Sequence, residues 1–397
     1  MVTTGEVQAQ LVYWRQIFGG PFVDEAFNCI ELRDGNYMMA GNKEIQVPGQ
    51  IYQIPKSYIV KFDRIGNILW EKLIGDSTKL NRSITLTEDP DGNIYLPFSD
   101  YYAHLLKMNS DGEILWHKEY SNSNIQLFRG ISFENNFKNI VLLGQSLIEN
   151  FYWTSSLTKL DSSGNLIWTK PYYDSIPTNS YYTSHNNSFM FNDDSYYISG
   201  SKGINGFIIK TDTSGNIIWN RRYFDVIGLY SFAELSINNF IISGTTNFGD
   251  LVCMKIDNSG NILWKKNYIN DTLANSIGSD KIIKNFQNNF VLGHYYGDEF
   301  AKILTVDSSG NIISANSYAY PVNKSISQYN INNTSDSGYI VSGAIRKWNN
   351  NKILSNENRG DKDIDILVYK IDKEGQTVSI NSNQSNLIDN FDIQIFS

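Results

Sequence analysis

The 397-residue sequence has only two cysteines, Cys29 and Cys253, and four histidines, His104, His117, His185 and His294. Two cysteines inside strand-like runs of different units exclude a disulfide framework. Buried free thiols are expected, with a disulfide or a metal role as the lesser alternatives. The histidines form no HExxH and have no paired cysteines beside them, so no metal site is expected. His104 and His117 fall in strands of one unit and read as structural or surface residues. No stretch is long and apolar enough to span a bilayer as a helix. Residues 1–20 lack the basic start and apolar run of a secretory leader. There is no long basic run, and a net charge of −8 argues against nucleic acid or an acidic membrane as partner. Ser-His-Asp order, a G-x-S-x-G elbow, a dinucleotide fingerprint and a phosphate loop are all missing, so no catalytic residue and no cofactor is assigned.

What the sequence has is repetition. The stretch Tyr58–Lys72, YIVKFDRIGNILWEK, returns in six further versions, with turn glycines at Gly66, Gly112, Gly164, Gly215, Gly260, Gly310 and Gly375. Their spacings are 46, 52, 51, 45, 50 and 65 residues. A period in this range points to a repeat architecture. Each copy reads as an apolar strand, a tight turn and a second apolar strand. Asp63 opens the turn by accepting backbone N–H groups, and Gly66 supplies its left-handed position.

A second hairpin lies upstream of the first. Examples are Ala26–Leu32 followed by Arg33-Asp34-Gly35-Asn36 and Tyr37–Gly41, and later Ser335–Gly343. One unit is therefore four short antiparallel strands. Seven such units predict an all-β, seven-bladed β-propeller in a single domain over residues 11–380, with a tail over 381–397 that adds at most one strand. The chain ends point the same way. Leu11–Phe18 matches an outer strand without a hairpin partner, while the seventh unit lacks the outer-strand tryptophan. Leu11–Phe18 is expected to complete the last blade and close the ring. Whether it or Thr377–Ile380 pairs directly with Leu367–Ile371 stays open at this stage.

Loop lengths divide the two faces. First-to-second and third-to-fourth turns are short and nearly constant; second-to-third loops and inter-blade connections vary widely. The variable face is where binding residues are expected. Its two largest insertions, Asn42–Lys56 and Ile345–Asp363, belong to blades adjacent across the ring closure. They predict one wall containing Gln50, Tyr52, Arg346, Lys347, Trp348, Lys352 and Arg359. Trp153 and Trp348, read as loop tryptophans outside the repeat register, are the preferred binding candidates. Their surroundings suit a glycan or an extended peptide equally.

The recurrent residues read as structural. Trp70, Trp116, Trp168, Trp219 and Trp264 are expected to wedge between blades. Lys61, Lys107, Lys159, Lys210, Lys255 and Lys370 are expected to lie over a neighbouring tryptophan with their charge at the rim. Asp63, Asp161, Asp212, Asp257, Asp307 and Asp372 offer one carboxylate per turn, too few for calcium, and read as turn caps. Asp24-Glu25 and Asp298-Glu299 are the carboxylate clusters available for glycoside chemistry.

The block K-φ-D-x-x-G-N-φ-φ-W-x-K, together with D-G-N-Y-M-M-A-G, resembles repeat propellers of secreted or lipid-anchored bacterial proteins whose function is uncharacterised. The resemblance covers most of residues 11–380. It implies the fold and an exported or surface-attached location, and says nothing of an activity. The block is also distantly similar to the tryptophan-docked propellers of quinoprotein dehydrogenases and of the outer-membrane assembly machinery. The quinoproteins have eight blades and a vicinal cysteine pair with no counterpart here. The sialidase box Ser-x-Asp-x-Gly-x-x-Trp is offset from Asp63…Gly66…Trp70 at both ends, so that assignment is rejected. The reading that follows is a secreted or surface-attached module that binds a protein or glycan through its loop-rich face. The alternatives are a glycan-cleaving propeller with a carboxylate pair in its central pocket, and a purely structural part of an assembly.

Overall fold

The computed structural model describes residues 14–47, 49, 52–75, 82–121, 125–134, 137–148, 152–172, 185–203, 205–236, 239–268, 279–296, 300–319, 324–347, 364–373 and 395–396. Among these the chain forms strands and turns only, grouped into seven antiparallel sheets. Blade 1 shows the plan. Asp24–Glu31 is innermost, followed outward by Tyr37–Gln46, Gln53–Phe62 and Ile68–Ile74. The innermost strands of neighbouring blades pack on one another around a central axis, so the seven sheets form a ring. Seven apolar clusters are present, each built from two adjacent blades. Alternating strand residues give every blade two apolar faces, and only a ring of blades covers both.

The N-terminal strand closes the ring. Arg15–Phe18 pairs antiparallel with Ile364–Ile371, from Arg15 opposite Tyr369 to Phe18 opposite Ile366. The amide of Lys370 also donates to Trp14 O at 2.8 Å. Thr377–Ile380, the other contender, lies outside the described residues. At the opposite end of the chain, Ile395–Phe396 adds a short fifth strand to the outer edge of blade 6, beside Ile312–Ala319.

Two recurrent glycines have different reasons to be there. In six blades the innermost strand contains a β-bulge at one equivalent register: Ala26/Asn28, Phe128/Gly130, Asn186/Ser188, Leu229/Ser231, Ser279/Lys281 and Gln328/Asn330. The bulge pushes a carbonyl of the inner strand onto the second strand. A Cβ on Gly41 would lie 2.0 Å from Glu25 O, and one on Gly244 2.3 Å from Gly228 O. These are close approaches of backbone to backbone, which only glycine permits. Blade 2 departs from the plan: Phe98 occupies the glycine position, and its inner strand is reduced to Thr87–Glu88.

Several strands run further than the loop lengths suggest. The expected insertion Asn42–Lys56 is largely strand, because Tyr37–Gln46 and Gln53–Phe62 stay paired out to Gln46 opposite Gln53. The expected insertion from Ile345 begins as strand too, through Lys347. Trp153, expected in a loop, is in the strand Tyr152–Asp161 opposite Leu147. In each case continued ladder pairing holds the backbone extended where the sequence breaks its alternation.

Candidate binding site

The recurrent residues assemble a latch between blades. A Cβ on Gly112 would meet the ring of Trp70 at 3.2 Å, and Gly164, Gly215 and Gly260 stand in the same relation to Trp116, Trp168 and Trp219 at 2.8, 2.9 and 3.0 Å. Trp264 faces Gly310, and Trp14 of the closing strand faces Gly66. The outer-strand tryptophan of each of these blades thus lies on the third-to-fourth turn of the next. Two residues later a lysine reaches the same turn, as Lys170 Nζ to Asn216 Oδ1 at 2.7 Å and Lys266 Nζ to Asn311 Oδ1 at 2.7 Å. A tyrosine completes it: Tyr223 OH donates to Gly260 O at 2.8 Å, and Tyr268 OH to Gly310 O at 2.8 Å.

Within the turn, Asp63 Oδ1 accepts from the amides of Ile65 and Asn67 while Oδ2 takes the Asn67 side chain. Asp161, Asp212, Asp257 and Asp307 repeat the arrangement. The backbone amide of Asn216 holds the Asp212 carboxyl below the usual range, and that of Asn311 does the same for Asp307.

The recurrent lysines do not lie over tryptophan as expected. Lys61 Nζ meets Asp34 at 2.8 Å and Ser110 O of the next blade at 2.9 Å; Lys370 meets Asp336 at 2.8 Å. Lys107 and Lys159 pair with Asp89 and Glu134. These ammonium groups are largely buried and take an acid from the first-to-second turn, because a buried charge needs a partner. The lysines over indole rings are Lys72 on Trp70 and Lys170 on Trp168.

The loop-rich face carries exposed aromatic side chains at its tips. Tyr52 is 52% exposed in the second-to-third loop of blade 1, and Tyr101 is 72% exposed in that of blade 2. Phe248 is 91% exposed in the corresponding turn of blade 5, and Phe224 is exposed between blades 4 and 5. Tyr102 stands beside Tyr101. Of the other binding candidates, Arg346 and Lys347 end the second strand of blade 7, opposite Ser325 and Lys324. That strand packs against the inner strand of blade 1. Trp348, Gln50, Lys352 and Arg359 lie outside the described residues. Sequence reasoning missed Tyr101, Phe224 and Phe248. The signal was available, since each is an aromatic residue between strands, the criterion applied to Trp153 and Trp348.

Three groupings bear on catalysis. Asp24 and Asp365 face each other at the ring closure: a Cβ on Gly19 would lie 3.0 Å from Asp24 Oδ2 and 2.5 Å from Asp365 Oδ1. Both are buried, and Asp24 accepts the amides of Gly20 and Glu44. Burial pushes the Asp24 carboxyl above its usual range, and the nearby Asp365 charge adds to this. The pair joins chain segments at the ring closure. Asp298-Glu299 lies outside the described residues.

The second grouping is in blade 2, where His104 Nε2 meets Asp100 Oδ1 at 3.0 Å and His104 Nδ1 meets His117 Nε2 at 3.1 Å. Phe98 stacks on His104 with ring centroids 4.7 Å apart. Desolvation, and then the neighbouring His104, lower the His117 pKa. The third is a cavity of about 490 Å³ at the tight-turn end of the central channel, lined by Glu31, Arg33, Arg64, Glu88 and Ser335 among others. Glu31 accepts from the amide and hydroxyl of Ser335, and Glu88 accepts the Arg33 amide at 2.9 Å. Burial raises the Glu88 pKa. Among the described residues no group of three or more metal-ligating side chains is gathered. Both cysteines are buried thiols, and burial pushes them further from ionising.

The likeness to known proteins is one of fold. No family model and no curated protein matches the chain. Among solved structures, the Pan2 WD40 domain of Neurospora crassa is 10% identical, covers 90% of this chain and 94% of its own, and has a TM-score of 0.57. A Bacteroides caccae protein of unknown function is 16% identical over 62% of this chain and 82% of its own, at a TM-score of 0.41. A mutant of the NanB sialidase from Streptococcus pneumoniae is 10% identical over 90% of this chain and 70% of its own, at 0.47.

Proposed function

We propose that this propeller is a binding module, exported from the cell or attached to its surface, that recognises a protein or glycan through its loop-rich face. The observation that carries the reading is the set of exposed aromatic tips on that face: Tyr52, Tyr101, Tyr102, Phe224 and Phe248. Among the described residues the tight-turn face exposes two aromatic side chains, Phe137 and Phe286. A largely exposed aromatic side chain leaves much of its area unused by the fold. It does offer a large, rigid contact area that loses little conformational freedom on binding. Short, capped turns fix the opposite rim and leave length variation to the binding face. The wall expected from blades 1 and 7 remains part of the proposal through Tyr52, Arg346 and Lys347, with Trp153 contributed from blade 3.

The test is to screen the full chain on glycan and peptide arrays, then to measure the best ligand with Tyr52→Ala, Tyr101→Ala and Phe248→Ala. A tenfold or larger loss in at least one variant of unchanged stability supports the reading. Undiminished binding by all three removes the face from consideration.

A second reading, glycan cleavage, is favoured by one observation: Glu31 and Glu88 line a single cavity beside the channel, and burial favours the protonated form of Glu88. Release of new reducing ends from a glycan panel, abolished by Glu88→Gln, is the expected result under that reading. A wild-type protein that releases none eliminates it.

A further inference from the structure

Blade 2 departs from its neighbours in one more respect, because it sets two histidines side by side. Its third strand, Ala103–Met108, and its outer strand, Ile114–Glu119, pair with His104 opposite Glu119 and Leu106 opposite His117. Alternation then puts His104, His117 and Glu119 on one face of the sheet. Phe98 stands opposite His104 in the second strand, on that same face. Its ring centroid lies 4.7 Å from that of His104 and 5.6 Å from that of His117, stacked on both, so one apolar ring backs the two imidazoles. His104 is buried, whereas His117 and Glu119 are exposed, so the pair is open to solvent from the outer strand.

Asp100 fixes the chemistry of the buried ring. Its Oδ1 accepts the Tyr102 amide at 2.8 Å and stands 3.0 Å from His104 Nε2. A carboxylate accepts, so His104 Nε2 carries the proton and Nδ1 keeps its lone pair. That lone pair is aimed at His117 Nε2, 3.1 Å away. Metal sites orient their ligands in this way, with a carboxylate on one histidine nitrogen and the lone pair of the other turned to the ion. Desolvation and then His104 lower the His117 pKa, so that ring too is neutral at neutral pH and able to ligate.

The spacing suits two ligands of one ion. Imidazole nitrogens bind Zn(II) at about 2.0–2.1 Å, which sets two of them about 3.4 Å apart in a tetrahedral site. At the right angles of tetragonal Cu(II), bonds of that length bring neighbours to about 2.9 Å. The observed 3.1 Å lies between the two. The nitrogens now face each other across a hydrogen bond, and a turn of the exposed His117 ring makes them converge.

Blade 1 shows what a purely structural pair at this place requires. Tyr58 and Glu71 hold the equivalent positions and share one hydrogen bond. Blade 2 has instead two nitrogen ligands, a carboxylate behind one of them, and the Glu119 carboxylate across the ladder.

We propose that His104 and His117 bind a divalent transition-metal ion of the zinc and copper class, with Glu119 turning in as a third ligand and water filling the remaining positions. The described residues hold no preformed group of three, so the ion itself draws Glu119 in. Binding exchanges metal-bound water for His104 Nδ1, His117 Nε2 and a Glu119 oxygen. The proton on His117 Nε2 passes through solvent to Nδ1 of the same ring, so both imidazoles stay neutral and no proton is released. Asp100 lies in the loop that carries Tyr101 and Tyr102, so the ion also steadies that loop from behind. The proposal does not rest on the loop-face reading, since metal uptake is measured without any other ligand.

The test is calorimetric titration of the untagged, chelator-stripped full chain with CuSO4 and with ZnCl2 at neutral pH. The expected result is saturable uptake of one Cu(II) per chain, tighter than Zn(II) in keeping with the general order of divalent affinities. His117→Gln is expected to weaken uptake tenfold or more, and Glu119→Gln to weaken it less. Both residues are exposed, so both variants retain the fold, which the Tm of the metal-free proteins checks. Electron paramagnetic resonance of the Cu(II) form should show coupling to two imidazole nitrogens in the wild type and to one in His117→Gln. No saturable uptake of either ion overturns the proposal, as does uptake, or a nitrogen-coupling pattern, that His117→Gln leaves unchanged.

Discussion

If the turn glycines are required both by backbone conformation and by the neighbouring tryptophan, the two causes are separable at Gly215. Its φ is +76°, and a Cβ there would lie 2.9 Å from Trp168 Cη2, 3.1 Å from Cζ3 and 2.9 Å from Lys170 Cδ. Gly215→Ala incurs left-handed backbone strain of about 1–2 kcal/mol. Forcing the indole aside adds overpacking of about 1–3 kcal/mol, since Lys170 can swing away but the half-buried ring has less room. The expected total is about 2–5 kcal/mol. In a Trp168→Leu background the ring is gone and the strain alone should remain, so the two substitutions couple by about 1–3 kcal/mol. Gly203 is the control: its φ is +61° and a Cβ there meets nothing within 4 Å, so Gly203→Ala should show strain only. Equilibrium urea unfolding of the wild type, both single variants and the double variant measures the cycle. An equal effect of Gly215→Ala in both backgrounds refutes the latch as drawn.

Further predictions concern other parts of the ring. Gly244→Ala meets a carbonyl at 2.3 Å without any positive φ to relieve, so it should destabilise more than Gly203→Ala and should disturb the blade 5 bulge in amide exchange. Tyr223→Phe deletes the bond to Gly260 O and is expected to cost about 1 kcal/mol in chemical denaturation. Lys281 should make stability rise with alkalinity. Its folded pKa of about 8 lies below the ordinary lysine value of 10.5, so the unfolded chain binds more protons between these values. Stability should therefore increase between pH 8 and 10.5, and Lys281→Gln should flatten that rise. His117 works in the same sense at lower pH: its pKa is below 6.5, so its contribution is present above 6.5 and lost as pH falls through the lowered value. His117→Gln should reduce the acid sensitivity of thermal unfolding.

The sequence revealed the blade because its determinants are local. An aspartate that caps a turn, a glycine that makes it and an alternating strand on either side all lie within fifteen residues of one another. Ring closure was legible as an unpaired outer strand at one end and a missing tryptophan at the other. Its pairing partner was not, because nothing in Leu11–Phe18 specifies which edge it joins. The meaning of the second glycine was hidden for a different reason: Gly41 is required by the carbonyl of Glu25 on another strand, and that bulge has no residue signature of its own. Trp153 was misplaced because pairing with Leu147, not local propensity, decides where its strand begins. The lysines were assigned to tryptophan on repetition alone, whereas Asp34, Asp89, Glu134 and Asp336 sit one hairpin upstream and are only partly in register.

Hydrogen–deuterium exchange on the complex with the best array ligand tests the binding-face claim most directly. The predicted result is new protection in the loops carrying Tyr52, Tyr101 and Phe248 and none in the turns of Asp63, Asp161 and Asp257. Protection confined to those capped turns, with the loops unchanged, contradicts it.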